Sequence, residues 1–367
     1  MNGRINWMDW AKFLSVALVV PVHIPHTIGD QPVTWLMVFL LAVLMFNSGY
    51  LKKVEGSSTK SGDISHSFIP ISFFSFNSFI PHFKKYWHQL GIPYLLYNVV
   101  FYPYWLVKFY AEHGTMPTLP EALRPVWGAL LLQANNCFAE ELNAVTWFIA
   151  ALFIMRLLLD CCLRLRHGHW LMSLLCLLCM ALYVVSKATG FTTHYVAVGI
   201  FKSLPFYYLG FLCRNFRKPL LSLFPSSRKV AGVGLGFLLT LLLSILLFQW
   251  HAGCEANFPL HMLTYFPTVL FGVLAFTLFC RLLDGIHSQV VVNYSNGTMA
   301  FIGLHWMVTG IIRYGILKPL FHVPADFLYS PWQAYLLALV VTLLLYPVIV
   351  LFLKKAPWML GKQASKK

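Results

Sequence analysis

The first apolar run of the sequence, DWAKFLSVALVVPVHIPH over residues 9–26, holds a lysine and a histidine eleven residues apart, Lys12 and His23. At 100° per residue this is three turns plus about 20°, so the two side chains share one helix face, separated by about 16 Å along the axis. An ionisable group at membrane depth costs about 2.5–3.5 kcal/mol on insertion scales, which makes each one a functional candidate facing a bundle interior. A histidine titrates near neutrality and suits proton transfer, and its imidazole can also act as a nucleophile. Lysine supplies a point positive charge for an anion. Plainer roles stand beside these. Asp9 lies three residues before Lys12, a spacing at which the pair neutralises itself, and Lys12 can snorkel to the interface. His23, between Pro21 and Pro25, can bond a carbonyl freed by a kink.

The elements that carry these residues follow from composition. Of 367 residues, 59% are hydrophobic and 11% charged, with a mean hydropathy of +0.69, against roughly half apolar and about a quarter charged for a soluble domain. The sequence therefore reads as a polytopic membrane protein. Its 27 Lys and Arg against 12 Asp and Glu would otherwise suggest nucleic acid. However, 20 of the 27 fall in alternate connections between apolar runs, the distribution that cytoplasmic positive charge produces, so no nucleic-acid partner is expected. The eight cysteines sit mostly in or beside apolar runs. The CxxC at Cys176 and Cys179 has no second pair or nearby histidine, so no metal is expected. The first run has no small-residue cleavage site, so it is expected to stay in the mature protein.

Ten runs are long enough to span about 30 Å of hydrocarbon: 10–29, 34–51, 91–109, 144–163, 170–187, 196–213, 230–250, 261–283, 297–317 and 333–353. The expected fold is an all-α transmembrane helical bundle, a single domain over 1–367, with cytoplasmic N- and C-termini and a basic tail at 354–367. Segment 121–137 is too polar for a span and reads as a re-entrant or interfacial helix. The 52–90 connection reads as a linker followed by an apolar, aromatic helix on the inner leaflet.

Several segments resemble the acyltransferase 3 family of integral membrane proteins. A basic residue, ten intervening positions and a histidine in the first span are represented by Lys12 and His23. MFNSGYL at 45–51, LGIPYLLYN at 90–98, TWFIAALFIMRLLL at 146–159, LPFYYLGFLCR at 204–214 and NGTMAFIGLH at 296–305 are also similar to it, in order and spacing. The family's basic residue in the first span is more often arginine, and the Arg-x-x-Arg pair of many members is replaced here by KKYWHQLGIPY, with Lys84, Lys85 and His88.

The resemblance implies transfer of an acetyl group from cytoplasmic acetyl-CoA to a hydroxyl of a cell-envelope saccharide, at the cell inner membrane, by an enzyme similar to fucose O-acetylases. It makes His23 the general base or acyl carrier and His305 a second catalytic candidate. The anionic donor would be met by Lys12, Lys52, Lys53, Lys84, Lys85 and Arg214, with Arg217 and Lys218 nearby. Asp9, His26, Asn47, Ser48, Glu141 and Trp147 are the candidates for substrate binding, because carboxylates, amides and aromatic faces recognise sugar hydroxyls and sugar rings. The alternative readings are a secondary transporter in which Lys12 and His23 form a polar relay, and an acyltransferase acting on a lipid or other small acceptor.

Overall fold

The computed structural model describes residues 4–27, 31–52, 76–191, 194–215, 226–324 and 327–362. They form fourteen α-helices: α1 (Asn6–Val22), α2 (Gln31–Tyr50), α3 (Phe76–Tyr86), α4 (Ile92–His113), α5 (Leu119–Leu130), α6 (Trp147–Leu163), α7 (Gly168–Thr189), α8 (Tyr195–Asn215), α9 (Ser226–Gly253), α10 (Phe258–Leu282), α11 (Gln289–Asn296), α12 (Thr298–Gly310), α13 (Lys318–Phe321) and α14 (Pro331–Lys355). No strand forms among the described residues beyond isolated bridges at His26–Tyr329 and Ala134–His194. The molecule is an all-α polytopic bundle, as hydrocarbon requires of a chain whose backbone groups must pair within each segment.

Among the described residues, eight helical stretches are long and apolar enough to cross a membrane. The remaining two expected spans are α1, 17 residues long, and the apolar Thr34–Tyr50 part of α2. These two pack on each other, and α1 also meets α10, α11, α12 and α14, so the helix that carries Lys12 and His23 is central. One apolar core joins Val16 and Val20 of α1 to α6, α8, α12 and α14, and a second joins Ala11 and Val19 to α2 and α10. By contrast α9 packs on α10 and exposes Leu235, Leu238, Leu242 and Leu246, a face suited to lipid.

Two sequence expectations gain detail. The span expected at 91–109 is a helix over Ile80–His113, 34 residues long. Its first turns carry Lys84, Lys85 and His88, so the described part of the expected inner-leaflet helix runs on into the span, while 53–75 lie outside the described residues. The π-helical segment Trp87–Gly91 joins α3 to α4 without ending the helix, and Gly91 leaves room for the Trp87 ring, where a Cβ would lie 2.5 Å from a ring carbon. Segment 121–137 resolves into α5 and an irregular return. The Tyr102 hydroxyl donates to Ala122 O and the Tyr94 hydroxyl to Ala129 O, so α5 runs antiparallel along α4 and dips into the bundle. It stops at Leu132 and Gln133, both left-handed at φ 58° and 59°. The buried Gln133 amide offsets that strain by donating to Asn98 Oδ1 (2.8 Å) and Thr146 Oγ1 (3.0 Å), while its carbonyl accepts from the Leu142 N–H.

Helices α2 and α8 touch backbone to backbone. A Cβ on Gly49 would lie 1.8 Å from Tyr207 O, and one on Gly210 would lie 2.0 Å from Phe46 O. Such reciprocal small-residue contacts allow close helix packing where no hydrophobic drive separates protein from lipid.

Candidate active site

At the end of α1 the chain breaks between Pro21 and Pro25, and His23 caps the helix with its N–H on Val20 O at 3.0 Å. Its Nδ1 lies 3.0 Å from Val19 O and 3.3 Å from Nε2 of His305 on α12, with ring centroids 5.1 Å apart. His305 is buried, and its Nδ1 faces two carbonyls, Phe301 O and Ile302 O, both at 3.0 Å. These contacts assign the protons of the neutral pair. Nδ1 of His305 has only acceptors before it and carries its hydrogen, which leaves Nε2 as an acceptor. His23 Nδ1 then faces two acceptors, Val19 O and His305 Nε2, and carries a hydrogen in turn. The free lone pair of His23 is therefore on Nε2, which has no protein partner among the described residues. An imidazole held this way can accept a proton or attack a carbonyl.

Close to this pair, a buried polar layer fixes α4, α6 and α12. Asn98 donates to Tyr94 O and Thr146 Oγ1, and Asn143 donates to Gly303 O at 3.0 Å. Trp147, at the start of α6, packs its ring where a Gly199 Cβ would be and lies 5.3 Å under the Lys202 ammonium, so much of its surface is already committed. His26, half-buried, turns away and bonds Ile24 O through Nδ1 at 2.8 Å. Glu141 sits in the connection before α6, hydrogen-bonded to the Tyr195 hydroxyl, and burial pushes its carboxyl above its ordinary value.

The other end of α1 opens on a cavity of about 250 Å³, lined in part by Arg4, Asp9, Lys12, Arg214, Ser295 and Asn296. Asp9 makes no ion pair with Lys12, although its charge acts on it. Both of its oxygens accept from the Arg4 guanidinium, at 2.6 and 2.9 Å, and Oδ1 also accepts from Ser295 at 2.5 Å. Lys12 has no hydrogen bond or ion pair among the described residues, and the charges that act on it are those of Asp9, Arg156, Arg4 and Lys362. Lys362, beyond the last span, is held below its ordinary value by burial and by Arg4. Arg214 donates to Tyr50 O at 3.2 Å and lies over the Tyr50 ring.

The remaining basic candidates part company here. Lys52 is bound into a buried network, ion-paired with Asp160 Oδ1 at 2.5 Å and hydrogen-bonded to Tyr86, while Tyr86 and His82 engage Asp160 Oδ2 at 2.5 and 3.2 Å. Lys84 and Lys85 are exposed on α3. Lys53, Arg217 and Lys218 lie outside the described residues. On α2, Ser48 donates to Leu44 O, and Asn47 is buried with neither amide atom partnered among the described residues.

Residues not singled out from the sequence also enter. Arg156 on α6 donates to Gln89 Oε1 at 3.1 Å and lies over the Tyr86 ring, and Asp160 anchors the network around it. The sequence signal for Arg156 was present, since it falls inside the expected span 144–163. Counting it with the topology-setting charges concealed an ionisable group at membrane depth.

The acyltransferase domain family matches residues 5–357, nearly the whole chain. No curated protein and no solved structure matches it.

Proposed function

The chain belongs to the acyltransferase 3 family and is a multi-pass membrane acyltransferase, and from that premise we propose that it moves an acetyl group from acetyl-CoA to a hydroxyl of a cell-envelope saccharide. The single observation that carries the reading is the histidine pair, in which His305 holds His23 with its Nε2 lone pair free, on the same helix that presents an unpaired Lys12 to a cavity about 16 Å away. The basic end of the bundle is the cytoplasmic one by its charge, and the membrane is the cell inner membrane.

In this mechanism the phosphates of CoA rest in the cationic cavity, on Lys12 with Arg214 and Arg4 beside it. The extended pantetheine arm runs along α1 and brings the thioester toward His23. The acceptor hydroxyl gives its proton to His23 Nε2 as its oxygen attacks the thioester carbonyl. The carbonyl then reforms, the C–S bond breaks, and the thiolate of CoA takes up that proton. In an acyl-carrier variant Nε2 attacks first and the C–S bond breaks, leaving the acetyl group on His23 and CoA as its thiolate; the acceptor oxygen then displaces the imidazole, and its proton passes to the thiolate. Glu141, at the His23 end of the bundle, is the polar group most available to an acceptor, whereas Asn47 lies buried toward the cationic end and Lys52 serves the Asp160 network.

The deciding experiment supplies the purified protein with acetyl-CoA and an envelope glycan fraction. The expected result is release of free CoA dependent on the glycan, with each modified sugar unit gaining the mass of one acetyl group. A protein that leaves acetyl-CoA untouched with every saccharide and lipid fraction of its source would overturn the donor assignment.

A further inference from the structure

A second lysine lies inside the bundle and has no part in the mechanism above. Lys202 is on α8, seven residues or about 10 Å in from Tyr195, near the end of the bundle opposite the cationic cavity. It lines a separate cavity of about 280 Å³ between α2, α7, α8 and α10, whose walls include Met37, Val38, Leu41, Tyr183 and Tyr265.

The Lys202 ammonium has no hydrogen-bond acceptor and no carboxylate among the described residues. What it has is the Trp147 ring at 5.3 Å, and the other charge that acts on it is a second cation, Lys187. A cation–π contact offsets only part of the cost of taking an ion out of water. The protein alone leaves the rest uncompensated, and an anion in the cavity would remove it. The walls restrict which anion. Beside Lys202 the lining adds the hydroxyls of Thr34 and Ser203 for a head group, while Met37, Val38 and Leu41 of α2 favour an alkyl chain over a fully hydrated inorganic ion. Met37, at 43% exposure, brings the cavity to the outer surface of the bundle, where lipid is the solvent.

We propose that this cavity binds an amphipathic anion, a phosphate or carboxylate head group on Lys202 with its chain along Met37, Val38 and Leu41. The site is independent of the acyl-transfer reading and can be tested without it. Wild-type protein in dodecyl maltoside is titrated with dodecyl phosphate while its thermal midpoint is followed, and with inorganic phosphate at equal concentrations. Dodecyl phosphate is expected to raise the midpoint saturably, inorganic phosphate is expected to have no effect, and Lys202→Arg is expected to keep the response. Lys202→Met should weaken it at least tenfold. Val38→Phe, which fills the apolar wall and leaves the charge in place, should weaken it as well and covers the case in which Lys202→Met does not fold. A Lys202→Met or Val38→Phe protein that responds with the wild-type midpoint concentration, or a wild type that responds equally to inorganic phosphate, would overturn the proposal.

Discussion

Lys12 and Lys202 are the same residue type set at opposite ends of one bundle, and their surroundings differ in kind. Lys12 stands in a polar cavity with Arg4, Asp9 and Arg214, where the one nearby carboxylate is already taken by Arg4 and Ser295. Lys202 stands among tyrosines and aliphatic side chains with a tryptophan ring beneath it. The first arrangement gathers several cations about one cavity and suits a multiply charged, hydrated anion. The second places one charge against apolar walls and suits a single head group. An unpaired lysine in a membrane protein is thus not one signal, because its neighbours decide the ligand.

The widest separation between the two regions concerns turnover, because only the Lys12 helix carries a histidine. His23→Ala is expected to lower acetyl transfer by about 10²–10⁴-fold, the usual weight of a general base, while donor binding persists. His26→Ala, one turn on and bonded to Ile24 O, should keep substantial activity. Single-turnover assays with both variants check this, and a well-folded His23→Ala that retains more than about a tenth of the wild-type rate would remove His23 from the chemistry.

Donor affinity gives the next largest effect. Lys12→Ala is expected to raise the KM for acetyl-CoA about tenfold, equivalent to about 1.4 kcal/mol, with a smaller rise in Lys12→Arg, which keeps the charge. Equal KM values in wild type and both variants would return Lys12 to a purely structural role.

Stability should move the other way at the second lysine. In lipid-free detergent, Lys202→Met removes an uncompensated charge from an apolar site and is expected to raise the melting temperature by about 2–4 °C, whereas Lys12→Met, beside an open polar cavity, should change it less. Thermal unfolding followed by near-UV circular dichroism compares the two, and a lowered midpoint for Lys202→Met would mean that the Trp147 contact outweighs the cost of burial.

How far the sequence foretold these arrangements depended on whether the signal was local. The shared face of Lys12 and His23 follows from helix period alone, a period that α1 keeps as far as Val22, with His23 as its C-cap. The segments MFNSGYL and LPFYYLGFLCR stood out in the sequence, but only the packed helices explain them, since Gly49 and Gly210 let α2 and α8 meet at their backbones. The pairing of Asp9 with Arg4 rather than Lys12 was not legible, because at i,i+3 spacing Asp9 and Lys12 are neighbours on a helix and nothing in the sequence announces that Ser295, from α11, fixes the carboxylate. The partnership of His305 with His23 joins residues 282 positions apart and was equally out of reach. The helical continuation through Trp87–Gly91 was missed because a charged, aromatic stretch reads as an interfacial helix until its apolar side is seen against Phe153 of α6.

The smallest predicted effect concerns Glu141, on the connection before α6. Its ordinary value is 4.5, burial raises it, the charge of Glu140 adds to the rise, and the Tyr195 hydrogen bond acts against both. A carboxyl whose value is higher folded than unfolded binds more protons in the folded state, so its contribution to stability falls as pH climbs from 4.5 through the raised folded value. Glutamine keeps the shape and a hydrogen-bonding oxygen but does not ionise. The melting temperature of Glu141→Gln should therefore gain on that of the wild type as pH rises across this window and hold a constant advantage above it, of no more than about 2 °C for a half-buried group. Melting curves at half-unit pH steps resolve the trend. A difference that stays flat, or that shrinks toward neutral pH, would mean that the Tyr195 hydrogen bond stabilises the carboxylate more than burial penalises it, and Glu141 would then be a fixed negative charge at the end of the bundle where Lys202 awaits an anion.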